Sequence, residues 1–242
     1  MTTRRIRPAR WLTVAWALTG LTGASGAYAF DVNDFLPCEA LDPNPQLAYG
    51  DYNDPAQAVR LHTVEFNHLN SDVLHLRKGE TSTNLSQDLA FALRQFPNHP
   101  AALNAMGDWQ LKHGVTDDPN ANVWTAECYF QRAIAFRPND PVVHLVYGIY
   151  LHKAHRLQDA ERAYQSAEDS GAHSADYFYN RGLLEVDLGN LDKAEEYAQK
   201  AYAQGFPLPG LRDKLARARA GKRAPGAPSP PPQARAPQSP RG

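Results

Sequence analysis

The amino-acid sequence predicts an all-α protein built from stacked pairs of antiparallel helices. Three observations lead there. Small and apolar residues recur at one spacing: Gly148 and Gly182, Leu157 and Leu191, Ala160 and Ala194, and Ala167 and Ala201 are all separated by the same interval, a constant period of the kind that marks repeats of one supersecondary unit. Within a unit the apolar residues follow helical steps, as in Ala160, Ala163, Tyr164 and Ala167, so each such helix has one stripe to bury. The links His155-Arg156-Leu157 and Gly189-Asn190-Leu191 are short, as antiparallel neighbours require.

In chain order, the first element is residues 1–29. Arg4, Arg5, Arg7 and Arg10 precede an apolar run from Trp11 to Leu21 and the small-residue triplet Ala27-Tyr28-Ala29, the three zones of a cleavable export signal. Arg7-Pro8 fits the ordinary secretion route better than a twin-arginine one. The run is about half of the ~20 residues that a lasting membrane anchor needs, so the expected mature chain starts near Phe30 in the periplasm, or secreted, without a transmembrane anchor. Residues 30–54 form an irregular segment with turns at Pro43-Asn44-Pro45 and Tyr49-Gly50-Asp51. Residues 55–99 hold degenerate repeat-like helices, one from about Pro55 to Leu69 and one from Leu85 to Phe96. Three helix pairs fill 100–207, dividing at about 100–140, 141–174 and 175–207. The first is expanded, because Gly107 stands farther ahead of Ala126 than Gly148 does of Ala160 or Gly182 of Ala194; the excess falls in Lys112 to Trp124. Pro209-Gly210 opens a charged capping helix over 208–220. Residues 221–242 carry seven prolines and no aromatic, the composition of a disordered, partly polyproline tail.

Gly148 and Gly182 sit inside predicted helices despite a cost of about 1 kcal/mol relative to Ala, which a closely packed neighbouring helix would explain. Ala160 and Ala194 are the small residues expected to meet them. Tyr164 and Phe130 supply a large aromatic to the second helix, Phe178 an aromatic before the glycine of the last first helix, and Pro138 the proline that ends a unit. His144, Ala172 and Ala198 replace residues usual at their positions. On this combined spacing the chain resembles the tetratricopeptide repeat family over about residues 100–207. The resemblance implies a right-handed superhelix whose concave face, lined by the first helices, binds a protein or peptide. The residues it places on that face are Asn104, Asp108 and Leu111; Val142, Leu145, Ile149, His152 and Lys153; and Asp176, Tyr179, Leu183 and Val186. These make an apolar face with scattered acids, suited to a peptide that buries apolar side chains. Packing between repeats is the competing role for Leu145 and Leu183.

The formal charge of −1, from 25 Lys+Arg and 26 Asp+Glu, conceals segregation. Segments 1–29 and 221–242 each carry four cations and no acid, which leaves Phe30–Ala220 at −9 and the expected mature chain at −5. That balance argues against nucleic acid as a partner. The basic tail could touch an anionic envelope surface or serve only as a solubilising end. Cys38 and Cys128, the only cysteines, either form one disulfide in an oxidising compartment or stay as buried thiols. His152 with His155, and His62, Glu65 and His68, have helical spacing that lets two ligands share a face, but a useful metal site needs three or four. No HExxH, paired CxxC or GxSxG occurs. The expectation is a non-catalytic scaffold with no cofactor or metal. The alternative is an envelope enzyme or metal-binding protein using the 112–124 loop or the helix histidines.

Overall fold

A computed structural model describes residues 49–80, 84–114 and 123–222. The export signal, Cys38, most of the irregular segment and of the 112–124 loop, and all but the start of the proline-rich tail lie outside the described residues. After a single 3₁₀ turn at Pro55–Gln57 the helices are α1 (Ala58–His68), α2 (Ser71–Leu74), α3 (Leu85–Gln95), α4 (Pro100–His113), α5 (Ala126–Phe136), α6 (Pro141–Lys153), α7 (Leu157–Asp169), α8 (Ala175–Asp187), α9 (Leu191–Ala203) and α10 (Gly210–Lys222). The described residues are all-helical, as the sequence predicts; α2 is an element the periodicity did not indicate.

Local chemistry sets the helix ends. Asp140 accepts from the N–H groups of Val142 and Val143, with Pro141 behind it at the first helical position. Thr125 and Ser174 cap α5 and α8 in the same way, satisfying donors that the helix itself leaves open. The repeat period also appears in the backbone. His155 and Gly189 end the first helices of two successive units with φ of 59° and 80°, and Gly171 and Gly205 end the second helices with φ of 97° and 81°. At each, the next residue's N–H reaches back five positions, as in Arg156 N–H to Leu151 O at 3.0 Å and Asn190 N–H to Glu185 O at 2.8 Å. This is the left-handed closure that glycine makes cheaply, and His155 makes it without that advantage.

Helices α6 and α7 pair closely, as do α8 and α9; each first helix also meets the next one, α4 with α6 and α8 with α10. The buried side chains form three consecutive clusters, around Phe96, Met106 and Phe130, around Leu151, Tyr164 and Tyr177, and around Tyr179, Leu211 and Leu215. The interior glycines permit this spacing, but the expected alanine contact needs correcting. A Cβ on Gly148 would come within 2.9 Å of the Tyr164 ring, one on Gly107 within 2.9 Å of the Tyr150 ring, and one on Gly182 within 2.6 Å of Leu211 and 3.3 Å of Tyr197. Large side chains, not Ala160 and Ala194, therefore fill the space left by the missing methyl. In the last unit Tyr197 does so from one position before Ala198, which itself lacks the usual aromatic.

The chain ahead of α1 is held by the turns between units. Asp51 accepts from Asn98 Nδ2 at 2.7 Å and from Arg137 Nε at 2.7 Å, while Asn53 Nδ2 donates to Asp140 at 2.8 Å. Burial works to raise the Asp51 carboxyl pKa, but its hydrogen bonds and Arg137 hold it below the ordinary value. Farther along, Arg181 and Glu185, one helical turn apart on α8, are both buried, with 2.8 Å between Nη2 and Oε1. That contact is charge against charge rather than an aligned hydrogen bond; Asn190 Nδ2 satisfies the other carboxylate oxygen at 2.8 Å.

Candidate functional site: the shared face of the first helices

The predicted face residues lie along α4, α6 and α8 at steps of three and four, so each helix contributes one stripe. Burial divides them. Leu145 (7% exposed), Tyr179 (9%) and Val186 (8%) are core side chains. Leu145 packs in the second cluster, and Tyr179 and Val186 in the third with Leu211 and Leu215 of α10. Tyr179 also stacks on Phe206 with ring centroids 4.0 Å apart. These three are not available to a partner; the capping helix was expected only to end the stack, yet its leucines occupy the side of α8 that holds Tyr179 and Val186. Ile149 and Leu183 are partly buried at cluster edges. By contrast, Leu111 is 41% exposed and Val142 43%, and Asp176 is exposed.

The polar members are not scattered. Lys153 Nζ on α6 donates to Asp108 Oδ1 on α4 at 2.6 Å, and Asn104 Nδ2 donates to the other oxygen at 3.4 Å. His152 Nε2 on α6 is 2.8 Å from Asp187 Oδ2 on α8, and Lys214 of α10 donates to the same Asp187 oxygen. Acid, base, acid and base thus alternate from α4 through α6 and α8 to α10. Burial pushes the His152 imidazole pKa down, against the opposing pull of Asp187. Burial also works to raise Asp187, but Lys214 and His152 keep its carboxyl below the ordinary range. Asp187 and Lys214 were absent from the sequence-derived set. A signal existed: Asp187 stands one full repeat period after Lys153, so the same repeat position carries opposite charge in adjacent units.

The other histidines have separate partners. His68 Nδ1 lies 2.9 Å from Asp88 Oδ1, and His99 Nε2 lies 3.3 Å from Glu65 Oε1. His62, Glu65 and His68 therefore do not converge, and among the described residues no three His, Cys, Asp or Glu side chains group as a metal cage. No helix among the described residues is long and apolar enough to cross a membrane. Cys128, buried on α5, is disulfide-bonded; Cys38, the other cysteine of the predicted pair, lies outside the described residues. No family model matches the chain, and no curated protein matches it.

Proposed function

We propose that this protein is an exported scaffold of tetratricopeptide-type repeats that binds an apolar segment of a partner protein along the shared, concave face of α4, α6 and α8, without catalysis. One observation carries the reading: most of the charges on that face are paired across helices, Asp108 with Lys153 and Asp187 with His152 and Lys214, while Leu111 and, toward the other end of α6, Val142 stay exposed. Carboxylates already paired offer a charged ligand little, and apolar side chains gain by leaving water there at about 25 cal/mol per Å² buried. Leu111, Val142, Ile149 and Leu183 are the contact residues, and the ion pairs are the fixed rim. The basic tail would act separately, at an anionic envelope surface.

Because Leu145 is core, an acidic substitution there would test folding rather than binding. The informative variants are Leu111→Asp and Val142→Asp. A phage-displayed peptide library panned on the full chain should enrich apolar sequences whose binding is lost in both variants and kept in Arg162→Ala, a change at an exposed side chain of α7. Failure to enrich any sequence, or binding indifferent to Val142→Asp with the helical signal intact, would overturn the assignment.

A further inference from the structure

The repeat period extends past the last complete helix pair. Ala216 of α10 stands one period after Gly182, as Gly182 does after Gly148. In the two preceding units the second helix reaches this position: the Tyr164 ring of α7 covers Gly148, and Cβ of Tyr197 on α9 lies beside Gly182, whose nearest cover is Leu211 of α10. Helix α10 has no such mate among the described residues. Ala216 is exposed and borders a groove of about 400 Å³ between α9 and α10, floored by Ala198, Tyr202 and Leu215. Two arginines stand on its rim. Arg219 is ion-paired with Glu195 at 3.1 Å and with Asp192 at 3.6 Å. Arg212 lies 4.3 Å over the Tyr202 ring and has no carboxylate partner among the described residues.

We propose that this groove seats an amphipathic, acidic helix of a partner protein, entering as the second helix that α10 lacks. Shape supports a helix, because the same seat holds one in both preceding units. Charge supports an acidic one, because Arg219 is already paired with Glu195 and Asp192 while Arg212 has no carboxylate partner among the described residues and can take one from the incoming helix. An aromatic side chain in register would lie over Ala216 as Tyr164 lies over Gly148. The chain's own continuation is a poor source, since seven prolines follow α10 and proline opposes a helix interior by about 3 kcal/mol. The seat uses none of the residues of the proposed peptide-binding face, so each assignment can fail alone.

The probe is a fluorescein-labelled, lactam-bridged peptide with the sequence of Leu157–Asp169, an acidic second helix with Asp159, Glu161, Glu168 and Asp169 against Arg162. The bridge is needed because a free helix of this length is marginal in water. Titrated with the full chain and followed by anisotropy, it should saturate and weaken with added salt. Ala216→Trp, Gln199→Trp on the opposite wall, and the double change Arg212→Glu with Arg219→Glu should each weaken it about tenfold, equivalent to 1.4 kcal/mol. Replacing the peptide tyrosine by alanine should do the same. The circular dichroism of the variants verifies folding. Binding indifferent to all three changes, or absent up to about 1 mM, would overturn the proposal. So would self-association of the chain that Ala216→Trp abolishes, which would make the occupant a second copy. So would a tenfold gain in peptide affinity on deleting residues 223–242, which would make it the tail.

Discussion

His99 couples the stability of the fold to pH through a helix cap. It precedes Pro100 at the start of α4, the place that Asp140 holds before Pro141 in α6. Ala102 N–H donates to His99 Nδ1 at 3.3 Å, so Nδ1 must be unprotonated; the ring's hydrogen then sits on Nε2 and points to Glu65 Oε1 at 3.3 Å. Glu65 of α1 is the ionisable group that faces it, and the Tyr52 ring packs against it, tilted by 57°, with centroids 4.8 Å apart. Burial pushes the His99 pKa down, outweighing Glu65, which would raise it. Because the folded protein takes up the proton less readily than the unfolded chain, stability declines as pH falls below the unfolded value of about 6.5. The decline ends once pH has passed below the folded pKa. Protonation puts a hydrogen on Nδ1 facing another donor, so the cap is lost at a cost of about 1 kcal/mol, or roughly 2–4 °C in Tm for a chain of this size. His99→Asn keeps an acceptor for Ala102 N–H but cannot titrate. Urea unfolding of wild type and variant between pH 7.5 and 5 should show the variant with the flatter profile, most clearly in a His152→Gln background, since His152 is also shifted down. An unchanged slope in His99→Asn would refute the reasoning.

Four further changes test the packing and the covalent frame. His155→Gly should stabilise the protein by about 1 kcal/mol by removing the left-handed penalty of an L side chain at φ 59°, and Gly189→Ala, at the equivalent turn, should cost a similar amount; denaturant midpoints report both. Gly148→Ala should destabilise in spite of alanine's better helix propensity, because its Cβ would press to 2.9 Å on the fully buried Tyr164 ring; about 1 kcal/mol net remains after an overpacking cost of roughly 2 kcal/mol. Mass spectrometry of a denatured digest should find the Cys128 peptide joined to that of Cys38 until reductant is added, and Cys128→Ser should cost about 4 kcal/mol if the loop of ~90 residues is closed in the wild type.

The helices were legible where local rules act alone. The repeat spacing located α6 to α9; the starts of α4 and α6, at His99-Pro100 and Asp140-Pro141, follow the same kind of local rule, because capping and proline geometry depend on a few neighbouring residues. Burial of the proposed face was less legible. A stripe on a first helix can turn toward solvent or toward the next unit, and the choice depends on how far adjacent units rotate, which no short window records. Val142 and Leu145 illustrate this: three residues apart on one stripe, they end at 43% and 7% exposure. Tyr179 and Val186 were obscured for a second reason, since their cover comes from α10, whose sequence is dominated by charge and which sends only Leu211 and Leu215, with Ala218 at the edge, into the core.

The charge ladder could have been found by reading down the repeats instead of along the helices. Aligned on their glycines, the units place Lys153 at the position of Asp187, while Asp108 and Lys214 supply the flanking charges from outside that register. Each helix end then meets a neighbour of opposite sign, and slipping one unit by a helical turn would break the series. Because these pairs are partly exposed, each contributes less than about 1 kcal/mol, so the ladder is too weak to hold the stack together against the packing of Tyr164, Tyr177 and Leu211. What it can bias is register, since each pair bridges two neighbouring helices, α4 with α6 through Asp108 and Lys153, and α8 with α6 and α10 through Asp187.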